Sequence, residues 1–409
     1  MTKYGRSPWS EQFPKSRVRS YPRYRGALQR DVVIVGGGLT GCATAYAFSA
    51  AGVKVTLLEA ERIGHGASSG SAGWISDAPG LDFLALEKIA GRRAAKHAWQ
   101  SWRRAALDFA ALLRRLEIKC QLEPRGTLIT ATSPEQATRI KRDLKARRDA
   151  HVETTLVDGR GVLSETALNG FGALRMKDGA TLDPYRACAG LADAAVQRSA
   201  QIFERSPVTK IGFNRKTAEV ITAGGSIRTN AVVIATGVPT TLCASLRRHF
   251  WFRSSYLALT EPVPGRLRQR LGRRASVIRD AADPPHLVRW VNDERLLVCG
   301  ADAETPDAKR REPLQVQRTG QLMYELSTMY PDISGIQPAY GWDAPYVRSA
   351  DGLPHIGPHR NFPHHLFAFG GDSQSVTSSY LASRILLRHV LDETEAADEP
   401  FGFARTTAR

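Results

Sequence analysis

Three glycines with the spacing Gly36-x-Gly38-x-x-Gly41 follow residues 31–35, a short β-branched run of buried-strand type, and open a segment with helical periodicity. In such a turn the first glycine permits the bend, the second lets a pyrophosphate approach the backbone, and the third lets helix and strand pack closely. The first turn of the helix offers unpaired amide hydrogens and the positive end of its dipole to the diphosphate. We therefore predict a dinucleotide site whose contacts come from Gly36, Gly37, Gly38, Leu39, Thr40 and Gly41.

Glu59 directly follows a second apolar run, residues 53–58. An acid at this place accepts hydrogen bonds from the hydroxyls of the adenosine ribose. NAD would use the same turn and the same acid, so these residues alone do not name the cofactor. Two features favour FAD. Residues 231–237 have the pattern of a late strand of the same sheet, and a glycine turn and helix near the C-terminus supply a second group of amides for a flavin ring.

The strands and helices that position these groups are predicted from hydrophobic periodicity and from the residues that typically start helices. Strand, glycine turn, helix and strand succeed one another between residues 31 and 59, as in a nucleotide-binding unit. Ser133-Pro134 and Asp183-Pro184 each combine a cap residue with a proline at the first helical position. Further helices are predicted at 84–116 and 375–391, and strands at 127–132, 201–208, 216–228 as a hairpin, and 366–369. The strand-like pattern of residues 256–300 indicates a separate, largely antiparallel sheet.

A chain of 409 residues exceeds one hydrophobic core of ordinary size. We predict an α/β fold, in which a split Rossmann-type FAD-binding domain carries an inserted α+β substrate domain built on an antiparallel sheet. The expected boundaries are 1–27 for a basic N-terminal arm, 28–90, 151–245 and 345–395 for the discontinuous FAD-binding domain, 91–150 and 246–344 for the substrate domain, and 396–409 for a C-terminal tail.

The composition is that of a globular protein, with 42% hydrophobic and 24% charged residues and a formal net charge of +17. We interpret the spread arginines chiefly as solvated helix faces; a surface for nucleic acid or anionic lipid, or attraction of an anionic cofactor or substrate, are the alternatives. No nucleic-acid module is recognisable, so nucleic acid is not an expected partner. The five cysteines lie far apart, which predicts free thiols and no metal site. Without a secretory or membrane-spanning run, a cytoplasmic location is expected.

Taken together, the motifs resemble the D-amino-acid oxidase superfamily of flavoproteins, and within it the amine and amino-acid oxidases or dehydrogenases similar to glycine oxidase and gamma-glutamylputrescine oxidase. The resemblance covers residues 28–403. It is carried by Asp31-Val-Val-Ile-Val-Gly-Gly-Gly-Leu-Thr-Gly41, Glu59-Ala-Glu-Arg-Ile-Gly-His-Gly-Ala-Ser-Ser-Gly70, Asp351-Gly-Leu-Pro-His-Ile-Gly357 and Phe369-Gly-Gly-Asp372.

The resemblance implies non-covalent FAD and assigns further contacts to it. The segment after the ribose acid would surround the flavin side of the cofactor, with Ala60, Arg62, Gly66, Ala67, Ser68, Ser71, Ala72 and Gly73. Val208 would meet adenine, and Thr236 and Gly237 would border the diphosphate. The start of the last helix would lie under the flavin, with Gly371, Asp372, Ser373, Gln374 and Ser375. Many relatives have Gly-Gly-Asn-Gly there, so this chain departs from them. His65 is out of register for covalent attachment.

The resemblance also implies a reaction: hydride transfer from a carbon bearing an amine to flavin N5, followed by hydrolysis of the imine. The substrate is then a small amine or amino acid, and the electron acceptor is oxygen, a quinone or another carrier. Glycine-oxidase-like relatives have an arginine for the substrate carboxylate where this chain has Tyr346, and Arg348 could substitute for it. The substrate-pocket candidates are Tyr256, Tyr346 and Arg348 as catalytic residues, together with Arg253, Arg289, Trp290 and Trp342.

Three other functions stay open on the sequence. A FAD-dependent monooxygenase using NAD(P)H shares the N-terminal turn, and Gly371-Asp372 matches the late Gly-Asp signature of that group. A flavin-binding subunit without turnover would need the same cofactor residues. A nucleic-acid-bound role is suggested by charge alone. The identity of the substrate, the choice between oxidase and dehydrogenase, and the oligomeric state are not fixed by these residues.

Overall fold

The computed structural model describes residues 1–371 and 374–406. In chain order its strands are β1 Lys3–Tyr4, β2 Gly26–Val35, β3 Val55–Leu58, β4 Trp74–Ile75, β5 Glu123–Pro124, β6 Thr127–Thr130, β7 Thr155–Val157, β8 Ala173–Met176, β9 Ala180–Thr181, β10 Gln201–Phe203, β11 Val208–Phe213, β12 Ala218–Thr222, β13 Gly225–Gly237, β14 Trp251–Thr260, β15 Val277–Asp280, β16 Leu287–Val291, β17 Arg295–Glu304, β18 Pro338–Arg348, β19 His355–His359 and β20 Phe362–Phe369.

The helices are α1 Pro8–Glu11, α2 Leu39–Ala50, α3 Ala67–Gly70, α4 Phe83–Ala90, α5 Arg92–Arg115, α6 Pro134–Asp149, α7 Gly159–Thr166, α8 Pro184–Gln197, α9 Gly265–Arg268, α10 Ala308–Met329 and α11 Thr377–Val390. Short 3-10 helices lie at Lys15–Arg17, Thr241–His249, Pro331–Ile333, Ala396–Phe401 and Phe403–Thr406. No helix within the described ranges is both long and apolar enough to cross a membrane.

An eight-stranded sheet carries the glycine turn. Its central strands β2, β3 and β13 run parallel, and β10 and β20 extend the parallel part. Val32, Val33 and Ile34 of β2 are buried on both faces, as expected of a parallel strand covered on each side. β11, β12 and β19 complete the sheet through antiparallel pairs. Helices α2, α8 and α11 pack together beside it. This is the sheet that the sequence predicts for nucleotide binding.

A nine-stranded sheet forms the other half of the molecule, in the order β1-β18-β14-β17-β16-β15-β6-β8-β7. Its pairs are antiparallel except β1 with β18 and β6 with β15. α10 packs on this sheet over a hydrophobic cluster that includes Leu322 and Leu326. A small third sheet, β4-β9-β5, lies apart from both. The fold is thus α/β with mixed sheets, as predicted.

The distribution of segments between the sheets differs from the expected boundaries at 151–182. The expected boundaries assign this stretch to the FAD-binding segments, but β7 and β8 belong to the nine-stranded sheet. β8 pairs antiparallel with β6, with Thr127 opposite Met176, and β7 pairs with β8. The chain returns to the eight-stranded sheet only at β10.

Both terminal segments pack on the body of the protein. In the N-terminal segment β1 pairs with β18, and Trp9, Tyr21 and Tyr24 are buried. Near the C-terminus Phe401 and Phe403 are buried. Of the predicted helices, 84–116 is divided into α4 and α5 at Gly91, which has φ +83°. The two Pro-initiated starts are confirmed, because Ser133 caps α6 and Asp183 caps α8.

Candidate cofactor and substrate site

The glycine turn joins β2 to α2 and has the backbone geometry that only glycine satisfies. Gly36 has φ +110°, and a Cβ there would lie 2.7 Å from the carbonyl oxygen of Ala235 on β13. A Cβ on Gly41 would overlap the carbonyl oxygen of Gly36. Helix α2 can therefore start directly above the turn. Gly38, its N-cap residue, provides no side-chain cap. The Leu39 amide donates to Ser68 Oγ at 2.7 Å, and the amides that follow it in the first turn face the place of an anion.

Glu59 is fixed beside this turn by two backbone amides. Its Oε2 accepts a hydrogen bond from the Gly37 amide at 2.5 Å, and its Oε1 accepts one from the Glu61 amide at 2.8 Å. Burial raises the pKa of the Glu59 carboxyl, whereas the two amide hydrogen bonds act in the opposite direction. Since a carboxylate has about four acceptor positions, acceptors remain for a ribose diol.

An elongated cavity of about 470 Å³ runs from this acid past the glycine turn to the start of α11. Its walls come from residues 35–71, 207–242 and 344–382. The predicted cofactor residues that line it are Gly36, Gly37, Gly38, Leu39, Thr40, Glu59, Ala60, Gly66, Ala67, Ser68, Ser71, Val208, Thr236, Gly237, Gly371 and Ser375. The residues fit a dinucleotide, because an acid, a glycine cradle and a helix start follow one another along a single cavity.

The remaining predicted cofactor residues do not line this cavity. Gly41 lies beneath the turn, Ala72 and Gly73 face the interior of the protein, and Gln374 is buried with its Nε2 donating to the Pro285 carbonyl at 3.2 Å. Arg62 borders a separate cavity of about 380 Å³ beside α8, which Ile63 and His65 also line. Asp372 and Ser373 lie outside the described residues.

Several residues that line the cavity were not predicted from the sequence. They are Pro207, Val238, Thr240, Leu242, Ala344, Pro345, Val347, Pro354, Ile356, Ser378, Ser379 and Ala382. Ser378 and Ser379 could have been predicted, since they stand in the first turn of the last helix that the sequence predicts. In the structure, Thr40 Oγ1 donates to Ser379 Oγ at 3.0 Å. Ala344, Pro345 and Val347 had no such signal in the sequence, because only the pairing of β18 with β14 brings them here.

A second cavity, of about 420 Å³, meets the first at Tyr346 and Gly371, which line both. Arg253 on β14 stands directly opposite Tyr346 on β18, and Arg348 is two residues further along the same strand. All three side chains therefore share one face of the sheet. The Tyr346 hydroxyl donates to Oδ2 of Asp302 at 2.6 Å, and Asp302 also lines this cavity.

The far end of the second cavity contains a buried ion pair. Arg147 and Asp143, one helical turn apart on α6, approach to 2.6 Å with exposed fractions of 1% and 3%. The guanidinium stands over the Trp99 ring at 4.3 Å. Burial lowers the pKa of Arg147 and raises that of Asp143, and their mutual attraction opposes both shifts. An ion pair thus lines the second cavity, which reaches Tyr346 and Gly371 at its junction with the first.

The other pocket candidates lie outside both cavities, and Tyr256 is the main correction. It is three positions after Arg253 on β14, so its side chain points to the opposite face and packs with Trp290 in the cluster under α10. Trp342 donates its indole N–H to the Gly70 carbonyl, and Arg289 donates to the Ala72 carbonyl. The structure brings Arg253, Tyr346 and Arg348 together and separates them from Tyr256, Arg289, Trp290 and Trp342.

Comparisons with known proteins identify the family of the chain. The model of the DAO family, described as FAD dependent oxidoreductase, matches residues 31–388. Gamma-glutamylputrescine oxidoreductase from Escherichia coli is 24% identical over 371 residues, which are 90% of this chain and 85% of that protein. Glycine oxidase from Bacillus licheniformis is 23% identical over 351 residues, 83% of this chain and 87% of that protein. The crystal structure of glycine oxidase from Geobacillus kaustophilus superposes with a TM-score of 0.76 at 20% identity, over 92% of this chain and 98% of that one. The chain therefore belongs to the DAO family of FAD dependent oxidoreductases.

Proposed function

We propose that the protein oxidises the C–N bond of a small amine or amino acid with non-covalently bound FAD. The observation that carries the proposal is the junction of the two cavities at Tyr346 and Gly371. One cavity has the residues for a dinucleotide, and the other has arginine, tyrosine and carboxylate groups for a small polar molecule. The names of the relatives, gamma-glutamylputrescine oxidoreductase and glycine oxidase, support an amine or amino acid as that molecule.

The residues of the first cavity hold the cofactor. The amides at the start of α2 bind the diphosphate, and Glu59 accepts hydrogen bonds from the ribose hydroxyls. Residues 66–71 and the start of α11 enclose the flavin ring. Bound FAD supplies the acceptor for a hydride from the substrate carbon. Within the described part of the chain, neither a cysteine nor a histidine lines this cavity, which supports non-covalent binding.

The residues of the second cavity bind and orient the substrate. Arg253 and Arg348 present positive charge on one face of the sheet, where an anionic group such as a carboxylate would bind. The Tyr346–Asp302 hydrogen bond holds the tyrosine ring at the junction, so a substrate that contacts it lies against the cofactor side. Because the reaction needs the reacting carbon at a fixed distance and angle, such positioning supplies a large part of the rate.

The test is a spectrum followed by a substrate screen. The purified protein should show flavin absorption, or gain it when FAD is added to the apoprotein, and an amine or amino acid should bleach the flavin band anaerobically. Substrates with and without a carboxylate should be compared in the wild type, in Arg348→Met and in the exposed control Arg360→Met. Failure to take up FAD would refute the proposal, and rapid NAD(P)H oxidation without any amine would favour a monooxygenase instead. Reoxidation by oxygen or by a quinone then identifies the acceptor.

A further inference from the structure

The first cavity, which lies along the glycine turn and is called the cofactor cavity from here on, is bordered by residues 66–71. Beside it, three consecutive backbone carbonyl groups each accept a hydrogen bond from a different buried side chain. The Gly70 oxygen accepts from the Trp342 indole at 2.9 Å, the Ser71 oxygen from the Trp9 indole at 3.0 Å, and the Ala72 oxygen from Arg289 Nε at 2.6 Å. The donors come from β18, from the N-terminal segment and from β16. This backbone is therefore anchored from three separate parts of the fold.

The anchored stretch forms part of the cofactor cavity. Ser68 and Ser71 line the cavity, and Ser68 Oγ also accepts from the Leu39 amide at the start of α2, at 2.7 Å. Ser71 thus presents one side to the cavity while its carbonyl is bonded to Trp9 on the other. A shift of this backbone would move a wall of the cavity.

Trp9 reaches this position because the first residues of the chain are themselves fixed. β1 pairs with β18, with Lys3 opposite Tyr340, and the Gly5 amide donates to the Gly341 carbonyl at 2.9 Å. Ser7 then caps the short helix α1, and its Oγ accepts from the Trp9 amide at 3.2 Å. The Trp9 side chain is only 5% exposed.

Arg289 connects the Trp9 ring to the same backbone. Its guanidinium stands 5.1 Å from the centre of the indole ring and donates to the carbonyl oxygens of Ala72 and, at 3.1 Å, Leu182. Burial lowers the pKa of Arg289 to about 9, so the group remains a cation at neutral pH. A buried cation that donates to backbone carbonyls is costly unless those carbonyls stay in place, so the indole ring, the guanidinium and the Ala72 backbone form one packed unit.

We propose that the N-terminal segment, residues 1–13, is part of the FAD site, with Trp9 as a positioning residue that fixes the Ser71 backbone without contacting the cofactor. This inference rests on the proposed FAD site and goes beyond it, because it makes cofactor affinity depend on a segment far from the glycine turn in sequence. The indole N–H of Trp9 is the critical group, because it donates the hydrogen bond to the Ser71 carbonyl in the cavity wall.

The test compares FAD binding by apoproteins that differ only in this donor. Trp9→Phe keeps an aromatic ring beside Arg289 but removes the N–H; Trp251→Phe, at a tryptophan that is 57% exposed on β14, is the matched control. Loss of one such hydrogen bond should raise the FAD dissociation constant about 2- to 12-fold in Trp9→Phe and leave the control unchanged. Circular dichroism melts of each apoprotein establish the temperature at which all variants are folded, and titrations are made below it.

Hydrogen exchange of the apoproteins provides a second measurement that needs no FAD. Amides of residues 68–75 should exchange faster in Trp9→Phe than in wild type, while the β2 and β13 amides keep their protection. Wild-type FAD affinity together with unchanged exchange at residues 68–75 would overturn the inference. If the wild type itself binds no FAD, the proposed function fails, whereas the exchange data still decide whether Trp9 fixes this backbone.

Discussion

The hydroxyl of Tyr346 donates a hydrogen bond to Oδ2 of Asp302 across the intervening strand β14. Tyr346 belongs to β18 and Asp302 to β17, and both side chains line the second cavity. The tyrosine ring also borders the cofactor cavity. This bond therefore fixes the side chain that stands where the two cavities meet.

Tyr346→Phe should lower kcat/KM for the substrate about tenfold or more, while FAD affinity changes little. A hydrogen bond to a carboxylate contributes about 1.5–3 kcal/mol, and its loss frees both the ring and the acid. Steady-state kinetics and a flavin titration measure the two effects. Tyr324→Phe, at a tyrosine that is 73% exposed on α10, is the control and should behave as wild type. Equal kcat/KM for both variants would show that the bond does not position the substrate.

Gly41→Ala should abolish FAD uptake and destabilise the protein by about 1–3 kcal/mol, because the new Cβ overlaps the Gly36 carbonyl oxygen and separates α2 from the turn. Gly320→Ala is the matched control. Gly320 lies inside α10, and an added Cβ there meets nothing within 4 Å. That variant should gain about 0.5–1 kcal/mol from helix propensity. Urea unfolding and flavin absorbance measure both; retention of FAD by Gly41→Ala would contradict the role of the turn.

Arg405→Ala should lower the free energy of unfolding by about 3 kcal/mol, since the mostly buried Asp351 carboxylate loses its cationic partner and keeps only the hydrogen bonds from Ser349 and Leu353. Arg405 Nε lies 2.6 Å from Asp351 Oδ2, and each side chain is 13% exposed. Burial raises the pKa of Asp351, but the charge and hydrogen bonds of Arg405 outweigh it and hold the pKa below its usual value. The double variant Asp351→Asn, Arg405→Met should recover part of the loss in urea unfolding. A double variant less stable than Arg405→Ala would argue against charge burial as the cause.

The stability of the protein should fall as the pH drops from 7 towards 4, in part because of His355. Burial, with the nearby charge of Arg405, lowers the pKa of His355 to about 3, whereas an unfolded histidine has a pKa near 6.5. Between these values the unfolded chain binds a proton that the folded chain does not, so the contribution is present above pH 6.5 and is lost as the pH falls. Its slope is at most about 1.4 kcal/mol per pH unit.

His355→Phe should remove that part of the slope, as measured by urea unfolding at pH 7, 6 and 5. Other groups titrate in the same range, so the difference from wild type is the informative quantity. His151→Asn is the control, because His151 is exposed and has φ +58°, which asparagine tolerates. It should keep the wild-type slope, and an unchanged slope in His355→Phe would refute the assignment.

The local features of the site could be predicted from sequence because neighbouring backbone decides them. The turn, the start of α2 and the place of Glu59 depend on contacts within residues 32–61, and their spacing is visible in the chain. The starts of α6 and α8 needed only a cap residue and a proline. Each of these predictions used a fixed spacing of residue types along the chain, such as the glycine spacing of the turn or a cap residue followed by proline, that favours one local backbone conformation.

Features that depend on distant pairing could not be predicted in this way. Tyr256 is predicted in the pocket, but it stands three positions after Arg253 on β14, so the two side chains point to opposite faces. The packing of the sheet under α10 decides that the Tyr256 face belongs to the core. Strands β7 and β8 join β6 across the chain for the same reason. Trp9 gave no signal, since nothing in a proline- and arginine-rich segment indicates a bond to residue 71.

The three stretches that wall the cofactor cavity lie far apart in sequence, so the cavity is completed late in synthesis of the chain. A growing chain that has reached residue 240 already contains the glycine turn, Glu59 and Thr236, but it lacks the wall supplied by residues 344–382. In such a nascent chain the glycine turn faces solvent on the side that residues 344–382 later cover. All three walls are present together only once the chain has been synthesised through residue 382.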